Sequence, residues 1–416
     1  KGREEMCNWT IWCTQNVLLS TFLLPFSDNT RCKVFKKSCA STDFFLKDYG
    51  DDGCCDEGAQ YYRHAGLCLF QTLDLLCRIT DGYFNALWDN EKIKNIALYI
   101  LNVHVNDKYY INFADCSPVA GRAGVREYLF GKACGLNNLS KFAALDYKRN
   151  PDKFQPEENN LYYRLQEVFT RRDILSVDTD TPIFHPPVFY SSVGLWIARN
   201  DSYTAAAKCG DNNDSHNHND TGSITLYKNG SPLLVDIGVE SYTKKTFSAQ
   251  RYEIWTMQSD YHNLPTINGS MQMNGAEYHA TEVSHSFTED GGKISMDIAK
   301  AYPSDAHIEK YTRSVVLSDF GLKITDTWSF DDSENHSVIL NFITYDKPVR
   351  STDAPDTLLI GELASLSLPS GYLSGNVQIE ELAITDPRLM QCWKHSLYRI
   401  RVSVPTDRNE VEIVVA

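Results

Sequence analysis

The sequence predicts a two-domain α+β protein in which a helical N-terminal part, residues 1–180, precedes an antiparallel β-sandwich, residues 181–416. Three observations support this division. Apolar residues recur at helical spacing up to about residue 175, whereas alternation with a period of two dominates after about residue 192. The segment between them is rich in Pro, Thr and Asp, and clustered prolines resist both helix and central strand. A chain of 416 residues is long enough for two domains.

The N-terminal part contains several amphipathic helices in series. One apolar stripe, at helical spacing, consists of Tyr62, Ala65, Leu69, Leu73 and Leu76. Further helical stretches are predicted at Trp9–Leu24, Glu91–Val103, Gly124–Cys134 and Leu161–Leu175, with turns rich in Gly, Asn and Asp between them. Such a series is typical of a helical bundle, a solenoid or a toroid.

The C-terminal part is predicted to be an antiparallel sandwich, because many short alternating strands follow one another with turns between them. The predicted strands are Val193–Ala198, Ile224–Tyr227, Lys293–Ile298, Thr312–Leu317, Leu322–Trp328, Val338–Ile343, Leu397–Val404 and Val411–Val415. The dipeptide Asn229-Gly230 is the strongest hairpin signal, and the strand that returns from it leads to Asp236.

Composition excludes several partners. A net charge of −14 argues against nucleic acid or an anionic membrane as the main partner. No apolar run is long enough to cross a bilayer, and the first six residues lack the apolar core of a signal peptide, so the chain is expected to begin inside a domain, as a fragment would. Ten of the twelve cysteines precede residue 140, within the helical part. Most are therefore expected to be reduced thiols, which favours a cytoplasmic location.

The most informative segment for function is Asp214–Ser223, which places two histidines one residue apart directly before the hairpin. In an extended strand, residues i and i+2 share a face, so His216 and His218 would converge on one site. The hairpin brings Asp236 back toward them, and His262 supplies a third imidazole. His218, Asp236 and His262 form a candidate metal site of two histidines and one carboxylate, while the other histidine is available for acid–base chemistry.

The same segments carry a resemblance to a known family. The pattern His216-x-His218-x-Asp220-x-Gly222-Ser223, followed by Leu234-Val235-Asp236-x-Gly238 and by Tyr261-His262-Asn263, resembles the heparinase II/III family of polysaccharide lyases. Further segments that look like this family are Asp51-Asp52-Gly53-x-x-Asp56-Glu57-Gly58-x-x-Tyr61-Tyr62 and Cys7-Asn8-Trp9 with Trp12. The resemblance implies an incomplete α/α toroid, lacking its first helices, and an antiparallel β-sandwich, with a uronate-containing chain in the cleft between them. It also implies cleavage by β-elimination.

The resemblance implies three catalytic residues. Asn8 would neutralise the substrate carboxylate, Tyr62 would be the catalytic tyrosine, and His216 would be the catalytic histidine. His216 would act as the base where the C5 proton lies opposite the tyrosine, whereas for the other epimer the tyrosine could be both base and acid. Taken without the resemblance, Asn8 could cap its helix and Tyr62 could be a core residue. Alternatives for the tyrosine are Tyr61 in the adjacent register and, more weakly, Tyr109 and Tyr110.

The resemblance also implies a metal site and substrate contacts. The ligands would be His218, Asp236 and His262, and such a set suits zinc best, ahead of manganese or calcium. The metal would brace the histidine-bearing segment, since elimination consumes no water. Candidate substrate contacts are Glu57, which could orient Asn8 or Tyr62, and Arg251, Arg63, Lys244 and Lys245, which could bind a uronate or a sulfate.

The sequence therefore predicts a lyase whose partner is an anionic polysaccharide. Glycosaminoglycans such as heparan sulfate, chondroitin or hyaluronan are the favoured substrates, and alginate is a further option. Two other functions fit the same residues. One is a metal-dependent hydrolase with Asp220 or Glu240 as its base. The other is a non-catalytic carbohydrate-binding protein with a structural metal.

Overall fold

The computed structural model describes residues 7–150, 160–332, 334–374, 376–393 and 395–416. The first six residues, for which the sequence predicts no signal peptide, lie outside these ranges. The chain divides into two units, of which the first comprises Lys1–His104 and Ala120–His185 and the second Val105–Val119 and Pro186–Ala416. The short segment 105–119, which precedes the predicted domain boundary, therefore belongs to the β-rich second unit.

The first unit is helical. Its helices are α1 (Asn8–Leu23), α2 (Asp28–Asp48), α3 (Gly66–Ile79), α4 (Glu91–Val103), α5 (Val125–Ala133), α6 (Asn137–Arg149) and α7 (Leu161–Ser176). The four helical ranges predicted from the sequence match α1, α4, α5 and α7 to within a residue at each end. Helix α2 was not predicted, because its polar sequence buries only Ser38, Thr42 and Phe45 and gives little apolar periodicity. Helix α6 was not predicted either.

Helix α3 lies at the centre of the helical core. Eleven of its fourteen residues are buried, and Leu75 and Leu76 pack with Leu18 and Leu19 of α1. The whole predicted apolar stripe is buried, and its first member, Tyr62, lies in a short 3-10 turn, Tyr61–Arg63, before the helix begins. Among the described residues, no helix has the length and apolar character needed to span a bilayer. All twelve cysteines are described, and all are free thiols.

The second unit consists mainly of β-strands. Their bounds are β1 (His104–Asn106), β2 (Tyr109–Tyr110), β3 (Val188–Tyr190), β4 (Leu195–Arg199), β5 (Tyr203–Lys208), β6 (Asp211–Asn212), β7 (Ile224–Lys228), β8 (Ser231–Leu234), β9 (Pro265–Ile267), β10 (Gly275–His279), β11 (Thr281–Thr288), β12 (Gly291–Asp297), β13 (Ile308–Ser318), β14 (Gly321–Phe330), β15 (Val338–Thr344), β16 (Pro348–Arg350), β17 (Thr357–Ile360), β18 (Ala364–Ser367), β19 (Val377–Ala383), β20 (Ser396–Val404) and β21 (Glu410–Val415). Each predicted strand overlaps an observed one.

Two large antiparallel sheets form a sandwich. One has the order β11-β12-β13-β14-β21-β18-β17-β16, and the other has the order β19-β20-β15-β8-β7-β5-β4-β3 with β9 also paired to β15. A single apolar core joins them, since Trp196 and Leu226 of one sheet belong to the same buried cluster as Val315 and Ile324 of the other. Alternation along β13 and β14 places one face of each strand in this core.

The predicted hairpin connects β7 to β8. Asn229 and Gly230 have φ values of 49° and 75°, which suit the tight turn that Asn-Gly favours. Lys228 pairs with Ser231 across the turn, so the return strand leads directly to Asp236. The hairpin thus positions one carboxylate of the candidate site.

Candidate active site and metal centre

The segment with the two histidines is a loop between β6 and β7. His216 lies in a turn with a φ of 58°, a left-handed conformation that non-glycine residues rarely adopt. The segment is therefore not extended, and the argument from strand alternation does not apply to these two histidines. The imidazoles nevertheless meet, because both contact the carboxylate of Asp115: His216 Nδ1 lies 2.7 Å from Oδ2, and His218 Nε2 lies 3.1 Å from Oδ1. His218 is buried, whereas 24% of the His216 side chain is exposed.

Asp115 is the central residue of this site, and no sequence pattern predicts it. It lies in the segment 105–119, and its side chain is fully buried. Burial alone would raise the pKa of this carboxyl, but hydrogen bonds from His216, His218 and Arg251 outweigh burial and hold the pKa well below its usual range. Asp115 is therefore a carboxylate at neutral pH. No motif marks it, because its partners are about a hundred or more residues away in the chain.

Arg251 holds the histidine loop rather than facing a substrate. Its guanidinium grips Asp115 with two bonds, Nη2 to Oδ1 at 2.7 Å and Nη1 to Oδ2 at 3.1 Å. Nη2 also donates to the carbonyl oxygen of His216 at 2.8 Å, and Nε donates to that of Asn217 at 3.1 Å. A guanidinium has five N–H donors on three nitrogens. Nη1 also donates to the carbonyl oxygen of Thr246, so all three nitrogens of Arg251 are engaged. The expected role of Arg251 in binding a uronate or a sulfate is therefore corrected.

The predicted metal ligands do come together. One ligand atom from each of His218, Asp236 and His262 lies within 4.8 Å of the others, and all three residues are buried. Asp236 Oδ1 accepts hydrogen bonds from Asn112 Nδ2 at 2.9 Å and from the backbone N–H of Gly238 at 2.8 Å. Its other oxygen, Oδ2, lies 2.9 Å from His262 Nδ1. The hairpin and the segment 105–119 thus hold the carboxylate in place.

This cluster fits a divalent metal ion. Within the described part of the chain, His218 Nδ1 and His262 Nε2 are buried without a hydrogen-bond partner, and His262 Nδ1 is not in line for a hydrogen bond with the oxygen 2.9 Å away. Burial would raise the pKa of Asp236, but its contacts with His262, His218 and the backbone N–H of Gly238 lower it overall. Tetrahedral zinc with bonds of 2.0–2.2 Å separates neighbouring ligand atoms by about 3.3 Å. The ligand atoms here lie within 4.8 Å of one another, and two imidazoles and one carboxylate form a donor set that zinc accepts.

Aromatic and cationic side chains surround the exposed part of His216. Tyr242 stacks on its ring at a centroid distance of 6.2 Å, and Phe247, which is 66% exposed, approaches edge-on at 6.3 Å. The Tyr242 hydroxyl donates to Asp115 Oδ2 at 3.1 Å. The guanidinium of Arg388 lies 4.9 Å from the Tyr242 ring centroid, and its Nη2 donates to the carbonyl oxygen of Asp115 at 2.8 Å. No sequence pattern predicts any of these three neighbours.

In the first unit, Asn8 contacts Glu57. Asn8 Nδ2 donates to Glu57 Oε2 at 3.1 Å, and both side chains are buried. The N-cap of α1 is Cys7 rather than Asn8, and Asn8 is the first helical residue. Its amide is therefore not a helix cap, and the structure places Glu57 where it can orient that amide.

The structure corrects the choice of tyrosine. Tyr62 is fully buried, and its hydroxyl donates to the carbonyl oxygen of Ala97 at 3.2 Å. Burial, followed by the charge of Glu127, raises the pKa of Tyr62 well above its ordinary value. A hydroxyl so placed faces a backbone carbonyl oxygen rather than solvent, which argues against a catalytic role. Tyr61, the alternative in the adjacent register, keeps part of its side chain at the surface.

Three other predicted groups also lie away from solvent. Arg63 is 5% exposed and donates from Nη2 to the carbonyl oxygen of Arg122 at 2.9 Å, so its predicted substrate contact is corrected to a structural one. Tyr110, a weaker alternative for the tyrosine, is fully buried in the second unit. Asp220, the base of the alternative hydrolase, is 2% exposed, and burial raises its pKa.

Residues 185–361 match the sequence family described as heparinase II/III-like, C-terminal. The resemblance found in the sequence is thus confirmed for this part of the chain. The matched range includes His216, the three candidate metal ligands and Arg251, whereas Asp115 and Arg388 lie outside it.

Solved structures are similar over nearly the whole chain. A heparinase III gene product with methylated lysines superposes with a TM-score of 0.68 and 14% identity, over 99% of this chain and 59% of the other. The heparan sulfate lyase HepC from Pedobacter heparinus gives a TM-score of 0.66 and 13% identity, over 99% and 60%. The chain thus spans less than two thirds of either structure. No curated protein sequence matches it. These similarities confirm the predicted fold, an α/α toroid part followed by an antiparallel β-sandwich.

Proposed function

We propose that the protein is a polysaccharide lyase that cleaves a uronate-containing glycan by β-elimination. The observation that carries the proposal is His216, a partly exposed imidazole whose Nδ1 contacts a buried carboxylate. A carboxylate in this position orients an imidazole and increases its basicity, as general acid–base catalysis requires. The names of the similar solved structures, heparinase III and heparan sulfate lyase, favour a heparan-sulfate-type glycosaminoglycan as substrate.

The reaction breaks two bonds and forms one double bond. A base removes the proton from C5 of the uronate, the electron pair of that bond forms the C4–C5 double bond, and the C4–O bond to the leaving sugar breaks. An acid returns a proton to the departing oxygen. The uronate carboxylate must be neutralised, because negative charge accumulates on it when the C5 proton leaves.

The proposal assigns one residue to each requirement. With Nδ1 on Asp115, His216 would accept the C5 proton at Nε2. Tyr61 would donate a proton to the departing oxygen, and where the C5 proton lies on the side of the tyrosine, Tyr61 would serve as base and acid in turn. The Asn8 amide, oriented by Glu57, would hydrogen-bond the uronate carboxylate without adding charge.

Arg388 replaces Arg251 as the proposed anion-binding residue. It is partly exposed, it donates to the carbonyl oxygen of Asp115, and its guanidinium lies over the Tyr242 ring. A guanidinium held in this way can bind a carboxylate or a sulfate through two parallel hydrogen bonds. Phe247 and Tyr242 would add apolar faces for a sugar ring.

We propose that His218, Asp236 and His262 hold a divalent metal ion, with zinc the best fit. When bound, the ion would supply a fixed positive charge and a cross-link between the histidine loop and the hairpin. His218 would bind through Nδ1, since its Nε2 faces Asp115. This division keeps the metal on the buried side of the loop, while His216 remains partly exposed.

The test is to incubate the purified protein with heparan sulfate, chondroitin sulfate, hyaluronan and alginate, and to measure near-ultraviolet absorbance and reducing ends in parallel. A lyase increases both, because each cleavage creates an unsaturated uronate and a new reducing end. His216→Ala serves as the control for contaminating enzymes, and it should remove both signals. Reducing ends without absorbance would instead establish a hydrolase. Binding without either signal would establish a carbohydrate-binding protein.

A further inference from the structure

A single carboxylate contacts both the proposed catalytic histidine and a proposed metal ligand. Asp115 Oδ2 lies 2.7 Å from His216 Nδ1, and Oδ1 lies 3.1 Å from His218 Nε2. Each oxygen therefore faces one imidazole. Both histidines are on the same loop, but the carboxylate comes from a segment of the second unit about a hundred residues earlier in the chain.

The position of this carboxylate is fixed on several sides. Arg251 grips both oxygens, the Tyr242 hydroxyl donates to Oδ2 at 3.1 Å, and Arg388 donates to the backbone carbonyl at 2.8 Å. A fully buried carboxylate is stable only when its charge and lone pairs are satisfied. The guanidinium of Arg251 balances the charge of Asp115, so neither histidine must be protonated to make the group neutral.

The contacts to Asp115 also determine which ring nitrogen carries the proton. A carboxylate accepts hydrogen bonds, so a neutral His216 carries its proton on Nδ1 and a neutral His218 carries its proton on Nε2. The unprotonated nitrogens are then Nε2 of His216, which can take a proton from a substrate, and Nδ1 of His218, which can bind a metal. Asp115 thus selects the functional tautomer of both rings at once.

The backbone of the loop needs this support. His216 has a φ of 58°, and such a conformation in a non-glycine residue persists only when its surroundings hold it. Arg251 provides that support through the carbonyl oxygens of His216 and Asn217, and it is itself fixed by Asp115. Movement of the carboxylate would therefore release both the ring and the backbone of His216.

We infer that Asp115 is a positioning residue that couples the metal centre to the catalytic histidine. Metal bound at Nδ1 of His218 orders that ring, the ring orders the Asp115 carboxylate, and the carboxylate orders His216. The catalytic part of this inference rests on the proposed function. The coupling between the metal and His216 does not depend on turnover.

The test uses Asp115→Asn with a closely matched control. Asp326 is also a fully buried carboxylate gripped by an arginine, with Arg313 Nε at 2.9 Å and Nη2 at 2.7 Å, and it accepts a tyrosine hydroxyl, that of Tyr311, at 2.9 Å. Within the described ranges, Asp326 has no hydrogen bond or ion pair with a histidine. Asp326→Asn therefore reproduces the loss of an arginine–carboxylate pair without the loss of a contact to an imidazole.

The primary measurement is the ¹⁵N NMR spectrum of histidine side chains in protein loaded with zinc and in protein stripped by a chelator. His216 is assigned by comparison with His216→Ala. In the unsubstituted protein, His216 should carry its proton on Nδ1, and removal of zinc should shift its ring signals although it is not a ligand. In Asp115→Asn, removal of zinc should leave the His216 signals unchanged, whereas Asp326→Asn should behave like the unsubstituted protein.

Two further measurements accompany the spectra. Zinc affinity, measured by chelator competition, should fall by about 10–100-fold in Asp115→Asn, the usual effect of removing a carboxylate behind a histidine ligand. If the protein is a lyase, kcat should fall by a similar factor with little change in KM, and Asp326→Asn should retain the kcat of the unsubstituted protein per folded molecule.

His216 signals that do not respond to zinc in the unsubstituted protein would overturn the coupling, whether or not Asp115→Asn folds. Failure to bind zinc would overturn it as well. The spectra and zinc affinities do not depend on turnover, so absence of lyase activity would count against the proposed function alone.

Discussion

Removal of the hydroxyl group from Tyr61 or from Tyr62 distinguishes a catalytic tyrosine from a core tyrosine. The two residues are adjacent, but only Tyr61 keeps part of its side chain at the surface. Tyr62 is fully buried, and a Cβ added at Gly66 would lie 2.3 Å from its ring. Tyr→Phe removes the same atom at both positions and almost no apolar area. We expect Tyr61→Phe to lose turnover and Tyr62→Phe to lose only stability.

The structure gives the size of each effect. The Tyr62 hydroxyl makes one hydrogen bond, to the Ala97 carbonyl oxygen at 3.2 Å, and a bond of this kind contributes about 1 kcal/mol net to the free energy of unfolding. The corresponding decrease in Tm is about 2–4 °C for a domain of this size. Loss of a general acid at Tyr61 lowers turnover by about 10²–10⁴-fold. In terms of the activation free energy, that is about 3–5 kcal/mol.

The assay is the initial rate of absorbance increase on the most active uronate polymer, with a thermal melt of each variant. Binding of the same polymer serves as a control, and it should be unchanged in both. A variant Tyr61→Phe with near-normal turnover, together with an inactive but folded Tyr62→Phe, would refute the argument from burial. That result would require the first unit to open around Tyr62 before catalysis.

The remaining predictions concern the metal, the anion-binding residue and the amide. His218→Ala and His262→Ala should lose bound metal and melt at a lower temperature, whereas His216→Ala should lose activity and keep the metal. Metal analysis and melting curves of the three variants check this. Metal loss in His216→Ala would refute the division of roles. Arg388→Ala should raise KM several-fold with little change in Tm, as steady-state kinetics would show. Asn8→Asp should lower kcat more than Asn8→Ala, because a second carboxylate would face the one already beside it and repel the uronate; an active, stable Asn8→Asp enzyme would exclude the proposed role.

Local patterns in the sequence predicted the parts of the structure that depend on local physics. Alternation located the strands, and Asn229-Gly230 located a turn that needs two positive φ values. The hairpin then accounts for the arrival of Asp236 beside His218 and His262. The apolar stripe also indicated the burial of Tyr62, because a residue in phase with buried leucines is expected to be buried itself.

The misassigned and missed residues depend on long-range contacts. Arg251 has the spacing of an anion-binding residue, but its donors are engaged by Asp115 and by the backbone of the histidine loop. Asp115 itself lies between two helical stretches, and no periodicity or motif distinguishes it from a surface aspartate. Arg388 is likewise far in the chain from the residues that it contacts. Such partners are determined by the closure of the sheets and cannot be read from a local window.

The interrupted second unit has a consequence for biosynthesis. The chain passes between the two units three times, and Asp115 is synthesised 101 residues before His216. At 5–20 residues per second, the ribosome needs about 5–20 s to supply the partner, and Asp115 remains without that histidine during this interval. Completion of the acid–base pair therefore comes late in folding. A gene fusion that transplants only residues 185–361 would carry the histidine loop into a new protein without the carboxylate that orients it.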